Sequence, residues 1–152
     1  MTTLAFTIRD ARPGDLDDIV DLDRRRTGVE KRGWWDGIRR AYGQRDDHVA
    51  LVAELATGGV VGFLFGEVRA FEFGSPPCGW IYSVAVDPAR EREGVASTLC
   101  TVALERFRRF GVDRVRTMVR RDDIAVLSFF RSMEFNAGPY TQLELDLEEK
   151  AS

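Results

Sequence analysis

The chemistry in this chain of 152 residues is concentrated in one loop, between an apolar strand and a helix. The strand Val84–Val86 is followed by Asp87, Pro88 and a charged stretch, and a helix begins at Gly94. A helix that begins after a tight turn directs several unpaired backbone N–H groups at one point, and its dipole adds about half a positive charge there. This layout predicts a site for an anion such as a pyrophosphate.

The same loop carries two carboxylates, Glu91 and Glu93, which repel anions. A carboxylate about 8 Å from a phosphate in water costs only about 0.5 kcal/mol, and salt reduces that cost. Arg90 and Arg92 offset the two charges, and Gly94 lets a ligand approach the backbone closely. The backbone N–H groups, more than the side chains, therefore determine whether the loop can bind an anion. The alternative is a plain strand-to-helix turn with a solvated run of charged side chains.

Alternating strands and helices must position this loop. Period-two alternation predicts strands at residues 4–10, 48–55, 60–71, 80–86, 113–120 and 141–147. Helical spacing predicts helices within residues 12–25, 30–42, 94–110 and 122–133. Asp122 or Asp123 is expected to cap the last helix. The alternation is typical of an α/β protein.

Composition narrows the class of protein. A net charge of -3 argues against nucleic-acid binding in general, and the apolar stretches are too short to span a bilayer. The first ten residues do not have the pattern of a signal peptide, which favours the cytoplasm. Cys78 and Cys100 are expected to be free, buried thiols. Two cysteines and one histidine cannot supply the four ligands of a structural zinc site.

Two segments resemble the signatures of the GNAT superfamily of acetyl-CoA-dependent N-acetyltransferases. Val84–Pro88 is similar to the family's strand, and Glu91–Ala96 to its loop Arg/Gln-x-x-Gly-x-Gly/Ala. Asp123–Phe135 resembles the second signature, Asn-x-x-Ala-x-x-Phe-Tyr-x-x-x-Gly-Phe. The resemblance implies a mixed, mostly antiparallel central sheet of about six or seven strands with about four helices. It also implies a single domain spanning residues 1–152, in a family where homodimers are common.

Three departures from these signatures bear on catalysis. Glu91 replaces the first Arg or Gln, and Asp123 replaces Asn. Phe130 replaces the tyrosine that is proposed in many relatives to protonate the leaving thiolate. The resemblance as a whole makes an N-acetyltransferase the first hypothesis. A non-catalytic acyl-CoA-binding or regulatory module on the same fold is the alternative.

The resemblance implies acetyl-CoA as the co-substrate and no metal. Its pantetheine arm would lie along the fourth strand like an extra strand, and a backbone N–H near Val84 would polarise the acetyl carbonyl. The pyrophosphate would lie on N–H groups of the loop. The cofactor-binding residues expected are Val84, Ala85, Val86, Arg92, Glu93, Gly94, Val95, Ala96, Ser97, Asp123 and Phe130.

The acceptor amine must lose a proton, because only about one lysine-like amine in roughly 2,500 is neutral at pH 7. Glu67 is the candidate base: if the hairpin turns near Ser75, Glu67 lies opposite Val84. Tyr82, expected on the same strand face as Val84, and Tyr140, just after the second signature, are candidates to hold a water or donate a proton. The alternatives are an exposed strand carboxylate for Glu67, a core or rim aromatic for Tyr82, and a surface aromatic beside a turn for Tyr140.

The acceptor itself is open among polyamines, aminoglycosides, amino acids and protein N-termini. Glu30 and Asp36 are candidates to attract a cationic amine, and Trp34 or Trp35 to cover it. A tryptophan pair at this spacing is more typical of a core. His48, the one histidine, is interpreted as structural.

Overall fold

The computed structural model describes residues 5–42 and 45–148 of the chain. Two compact units make up the chain, Met1–Met118 and Val119–Ser152. The strands of the first unit are β1 (Phe6–Asp10), β2 (His48–Leu55), β3 (Val60–Arg69), β4 (Cys78–Val86) and β5 (Val115–Thr117). Its helices are α1 (Leu16–Thr27), α2 (Arg32–Tyr42) and α3 (Val95–Arg109), and the second unit contains α4 (Ile124–Ser132). Leu4, the predicted start of the first strand, lies outside the described residues.

One sheet carries the five strands in the order β1-β2-β3-β4-β5. Neighbouring strands from β1 to β4 are antiparallel, and β5 is parallel to β4. The prediction of a mixed, mostly antiparallel sheet with four helices is confirmed. The count of six or seven strands is wrong, since the described residues form five.

The sixth predicted strand, residues 141–147, has no strand structure. Its alternating Leu143, Leu145 and Leu147 are exposed by 89%, 63% and 75%. Alternation gives a segment two different faces, but a strand also needs a neighbour that takes up its N–H and C=O groups. No such pairing occurs for this segment within the described chain.

Helices cover both faces of the sheet. On one face, Trp35 of α2 packs in a core cluster with Phe63 and Phe65 of β3. On the other face, glycines let α3 approach closely. A Cβ on Gly79 would lie 2.7 Å from the ring of Phe107, so the ring lies directly on the strand backbone. Both faces of the sheet are therefore buried around β3 and β4. This packing holds in place the end of β4 from which the loop begins.

Cys78 and Cys100 are free and buried, as predicted. Burial raises the pKa of Cys100 to about 11, so its thiol stays protonated at neutral pH. Across the described ranges, no helix is both long and apolar enough to cross a membrane.

Candidate functional site

The distal half of β4 has a free edge. The pairing of β4 with β5 covers Gly79 to Ile81 and ends there. From Tyr82 to Val86, β4 has β3 as its one strand neighbour among the described residues. An unpaired edge presents N–H and C=O groups that an extended ligand can bind as an added strand.

A β-bulge lies where the free edge begins. The register of β3 and β4 skips Tyr82, because the neighbours Phe65 and Gly66 pair with residues 83 and 81. Tyr82 packs against the core cluster beneath α1 and α2, together with Ala85. The expectation that Tyr82 shares a face with Val84 is wrong, because the extra residue of a bulge breaks the alternation.

Tyr82 shares a hydrogen bond with the hydroxyl of Tyr42, at the end of α2. Burial raises the pKa of Tyr82 well above its ordinary value, since an ionised phenolate is poorly solvated there. The phenol therefore stays protonated at neutral pH and can act as a proton donor. The sequence gives no sign of this contact, because Tyr42 appears there as one more aromatic residue at helical spacing.

The backbone of Val84 points to the free edge. Arg26, in the last turn of α1, donates a hydrogen bond from Nη1 to the carbonyl oxygen of Val84 at 3.2 Å. This carbonyl therefore does not point towards β3. The N–H and C=O of a strand residue point to the same side, so the N–H of Val84 also lies at the free edge. Arg26 has no signal in the sequence beyond the basic end of a helix.

The loop after β4 is held by Asp87. Its Oδ1 accepts a hydrogen bond from the N–H of Ala89 at 3.0 Å, and its Oδ2 lies 3.3 Å from Nη1 of Arg25. The hydrogen bond from Ala89 is the largest cause that lowers the pKa of Asp87, and Arg25 adds to it. Asp87 therefore fixes the turn that leads from the free edge to α3.

The first turn of α3 leaves its N–H groups accessible. Gly94 begins the helix with φ 83°, in the left-handed region that favours glycine. The hydroxyls of Ser97 and Thr98 donate to the carbonyl oxygen of Gly94, at 3.1 and 2.7 Å. No side chain of the described residues caps this turn. Its N–H groups and the helix dipole are thus available to an anion.

Glu67 does not lie opposite Val84, contrary to the prediction. Glu67 pairs with Trp80, and Leu64 is the partner of Val84. The chain turns at Glu72–Gly74, earlier than expected, which shifts the whole register. Three residues of strand, about 10 Å, separate Glu67 from the partner of Val84.

The carboxylate of Glu67 lies close to the side chains of Arg69 and His48. Its Oε1 accepts a hydrogen bond from Nε of Arg69 at 3.0 Å, and its Oε2 lies 3.5 Å from Nε2 of His48. The His48 side chain is only 7% exposed, and neither ring nitrogen has a hydrogen-bond partner among the described residues. Burial lowers the pKa of His48, the charge of Arg45 adds to this, and Glu67 opposes it.

This depressed pKa predicts a pH-dependent stability. A histidine that is buried neutral stabilises the fold above its unfolded pKa of about 6.5, and this stability is lost as the pH falls below that value. Between about pH 7 and pH 5.5, we expect the free energy of unfolding to fall more steeply for the native protein than for His48→Gln. The difference should reach at most about 1.4 kcal/mol per pH unit, as measured by urea denaturation. Equal slopes would contradict a neutral, buried His48.

The tryptophans divide between core and surface. Trp35 is 2% exposed, and its Nε1 donates to Oδ2 of Asp23 at 3.0 Å. Trp34 is 51% exposed. Trp35 is therefore a core residue, as the spacing favoured.

Three predicted site residues lie in the second unit. Asp123 caps α4, since its Oδ1 accepts a hydrogen bond from the N–H of Val126 at 3.2 Å. Phe130 is buried, with ring centroids 5.1 Å from those of both Phe129 and Phe135. Tyr140 is 50% exposed. The other predicted residues lie in the first unit, on β3, β4, the loop and α3.

Comparisons with known proteins identify the family of the chain. Residues 16–135 match the family model described as acetyltransferase (GNAT) family. A mycothiol acetyltransferase of Saccharomonospora viridis is 32% identical over 88 residues, which cover 56% of this chain and 29% of that protein. The chain thus spans less than a third of this relative.

Solved structures share the fold at low identity. Aminoglycoside N-acetyltransferase AAC(6')-Iy in complex with CoA matches with a TM-score of 0.82 and 15% identity, over 94% of this chain and 95% of that one. A transcriptional regulator from Bacillus halodurans C-125 matches with a TM-score of 0.79 and 19% identity, over 93% and 99%. These likenesses show the fold, and the match to the family model over most of the chain shows that it belongs to the GNAT acetyltransferase family.

Proposed function

We propose that the chain transfers the acetyl group of acetyl-CoA to an amine. The observation that carries the proposal is the free edge of β4, which leads through a short loop to an uncapped helix N-terminus. An extended pantetheine arm suits the edge, and a pyrophosphate suits the turn. The structural neighbour solved with CoA, AAC(6')-Iy, supports the same ligand.

The free edge supplies two kinds of contact. Backbone groups of Val84 and Val86 would bind the pantetheine amides, once Arg26 releases the carbonyl of Val84. The N–H of Val84 would stabilise the oxyanion that develops on the acetyl carbonyl, as preorganised N–H groups do in acyl transfer. N–H groups of Arg92–Ser97 would hold the pyrophosphate.

The reaction is a direct attack in a ternary complex. The amine nitrogen forms a bond to the thioester carbon, the C–S bond breaks, and CoA leaves as a thiolate. The proton of the amine passes to a base, and the thiolate takes a proton from an acid. Glu67 would serve as the base through water, because the register separates it from Val84. Tyr82, which is protonated and close to the edge, is preferred as the acid over Tyr140.

Turnover with a panel of amines tests the proposal. Aminoglycosides, polyamines, amino acids and peptides would be incubated with acetyl-CoA, and release of the CoA thiol and the acetylated product would be measured together. We expect amine-dependent thiol release with at least one class of amine. CoA binding without any turnover would favour the alternative, a regulatory module, which the absence of a hydroxyl on Phe130 supports. Failure to bind CoA would overturn both.

A further inference from the structure

A cavity of about 470 Å³ opens in the first unit. Its lining residues come from the end of β1 and the turn that follows it, from α1 and α2, and from β2 and β3; they are Ala11, Arg12, Pro13, Leu16, Ile19, Trp35, Arg39, Arg40, Tyr42, Ala50 and Phe65. Among these described lining residues there is none from β4, from the loop or from α3. The cavity is therefore separate from the site proposed for acetyl-CoA.

The cavity combines an apolar wall with a basic rim. Ile19, Trp35 and Phe65 are buried side chains of the core, and they give the wall an aliphatic and aromatic surface. The three arginines of the lining, Arg12, Arg39 and Arg40, are exposed, and we call them the rim. Cavities of this volume, mostly apolar with a few polar groups, are typical of sites for small molecules.

The charge of the rim favours an anion. Asp36, outside the lining, pairs with two of the three arginines: its Oδ1 lies 2.8 Å from Nη2 of Arg39, and its Oδ2 lies 3.0 Å from Nη2 of Arg40. Arg12 lies near the carboxylate of Asp15. That carboxylate accepts two hydrogen bonds from the guanidinium of Arg9, so its charge is already paired with another arginine.

Three arginines, Arg12, Arg39 and Arg40, thus line the cavity, whereas no carboxylate residue is among its described lining residues. Asp36 is a candidate from the sequence to attract a cationic amine, but its carboxylate is already paired with Arg39 and Arg40. A polycation therefore finds no unpaired carboxylate among the lining residues, whereas an anionic group finds arginines, whose guanidinium groups bind carboxylates well.

We propose that this cavity is a second ligand site, for a small aromatic or aliphatic molecule that carries a carboxylate or another anionic group. The apolar body would lie against Trp35 and Phe65, and the anionic group would lie at the rim formed by the arginines. Tyr42 lines the cavity and shares a hydrogen bond with Tyr82, which stands at the start of the free edge. Tyr82 itself does not line the cavity, so a ligand here would leave the free edge open.

Three matched probes test the charge requirement: 2-naphthoate, the neutral 2-naphthamide and the cationic 2-naphthylmethylamine. Their aromatic bodies are alike, so differences in affinity measured by titration calorimetry report the charged group. We expect 2-naphthoate to bind about 10-fold more tightly than the amide, and the amine to bind most weakly. Absence of 2-naphthoate binding, or equal binding of all three probes, would overturn the proposal.

Variants locate the binding within the chain. The double variant Arg12→Gln/Arg39→Gln should weaken 2-naphthoate binding about 10-fold, since each exposed ion pair contributes a factor of up to about 5, and should leave the amide unchanged. Ala50→Leu should weaken all the probes by filling the cavity. Arg108→Gln removes an exposed arginine on α3 and serves as the control with unchanged binding. Unchanged 2-naphthoate binding in both cavity variants would overturn the assignment.

The site is tested independently of acetyl transfer. Saturating CoA should leave the affinity for 2-naphthoate within about 2-fold, because no residue of the β4 edge or the loop lines the cavity. Competition between the two would place the probe at the CoA site and overturn the proposal of a second site. Binding of 2-naphthoate by a protein that acetylates no amine would contradict the proposed function and leave this proposal standing.

Discussion

Replacing Gly94 with Val is expected to abolish the stabilisation of the protein by acetyl-CoA. A ligand that binds only the folded state at about 100 times its Kd stabilises it by about 2.7 kcal/mol, which raises the Tm of a chain of this size by roughly 5–10 °C. The backbone at Gly94 begins α3 at the end of the loop. A valine side chain there would stand between the ligand and the N–H groups that bind it.

The control for this variant is Gly111→Val, at the opposite end of α3. Gly94 and Gly111 have nearly the same backbone angle, φ 83° and 85°. Apart from adjacent residues and the backbone of the helix itself, a Cβ built on Gly94 meets only Oγ of Ser97, at 3.9 Å, and one built on Gly111 meets nothing within 4 Å. Both variants therefore carry a similar conformational strain, and only one alters the loop. A Tm shift with acetyl-CoA that persists in Gly94→Val would place the pyrophosphate site elsewhere.

Replacing Glu67 with Gln is expected to lower kcat by about 10- to 100-fold, at the lower end of general-base catalysis because water must relay the proton. The substitution keeps the size of the side chain and removes its basicity. The Tm shift with acetyl-CoA should be unchanged, since the loop is intact. The loss should shrink at high pH, where more of the amine is already neutral.

Glu72→Gln serves as the matched control for this variant. Glu72 lies in the turn between β3 and β4, and its Oε1 lies 4.0 Å from Nε of Arg69, the same residue that pairs with Glu67. We expect an unchanged kcat for Glu72→Gln across the pH range. If Glu67→Gln keeps the native kcat and pH–rate profile, Glu67 has no part in the mechanism, and solvent must receive the proton.

Local signals in the sequence were sufficient for most elements. The strand predicted at residues 48–55 occurs as His48–Leu55, and the helix predicted at 94–110 as Val95–Arg109. Asp123 caps α4 as predicted, because a side-chain carboxylate bonds an N–H only three residues away. These features depend on periodicity and on neighbours within one turn, which the sequence contains in full.

The pairing of distant segments could not be predicted in the same way. The register of Glu67 depends on where the β3–β4 hairpin turns, and a turn two residues earlier moves the partner by four positions. The strand predicted at 113–120 shortened to Val115–Thr117, and this short pairing is what leaves the edge of β4 free. Neither outcome follows from alternation, since alternation specifies faces and not partners.

The sequence alone determined the order of the first five strands and the four helices, the loop at Gly94 and the resemblance to the GNAT family, because each is a local pattern along the chain. Tertiary structure decided the bulge at Tyr82, its hydrogen bond to Tyr42, the contact of Arg26 with Val84 and the separate basic cavity. In each of these, residues far apart in the chain meet after the sheet is paired and the helices are packed. Side-chain contacts of this kind depend on register and packing, which no short stretch of sequence contains.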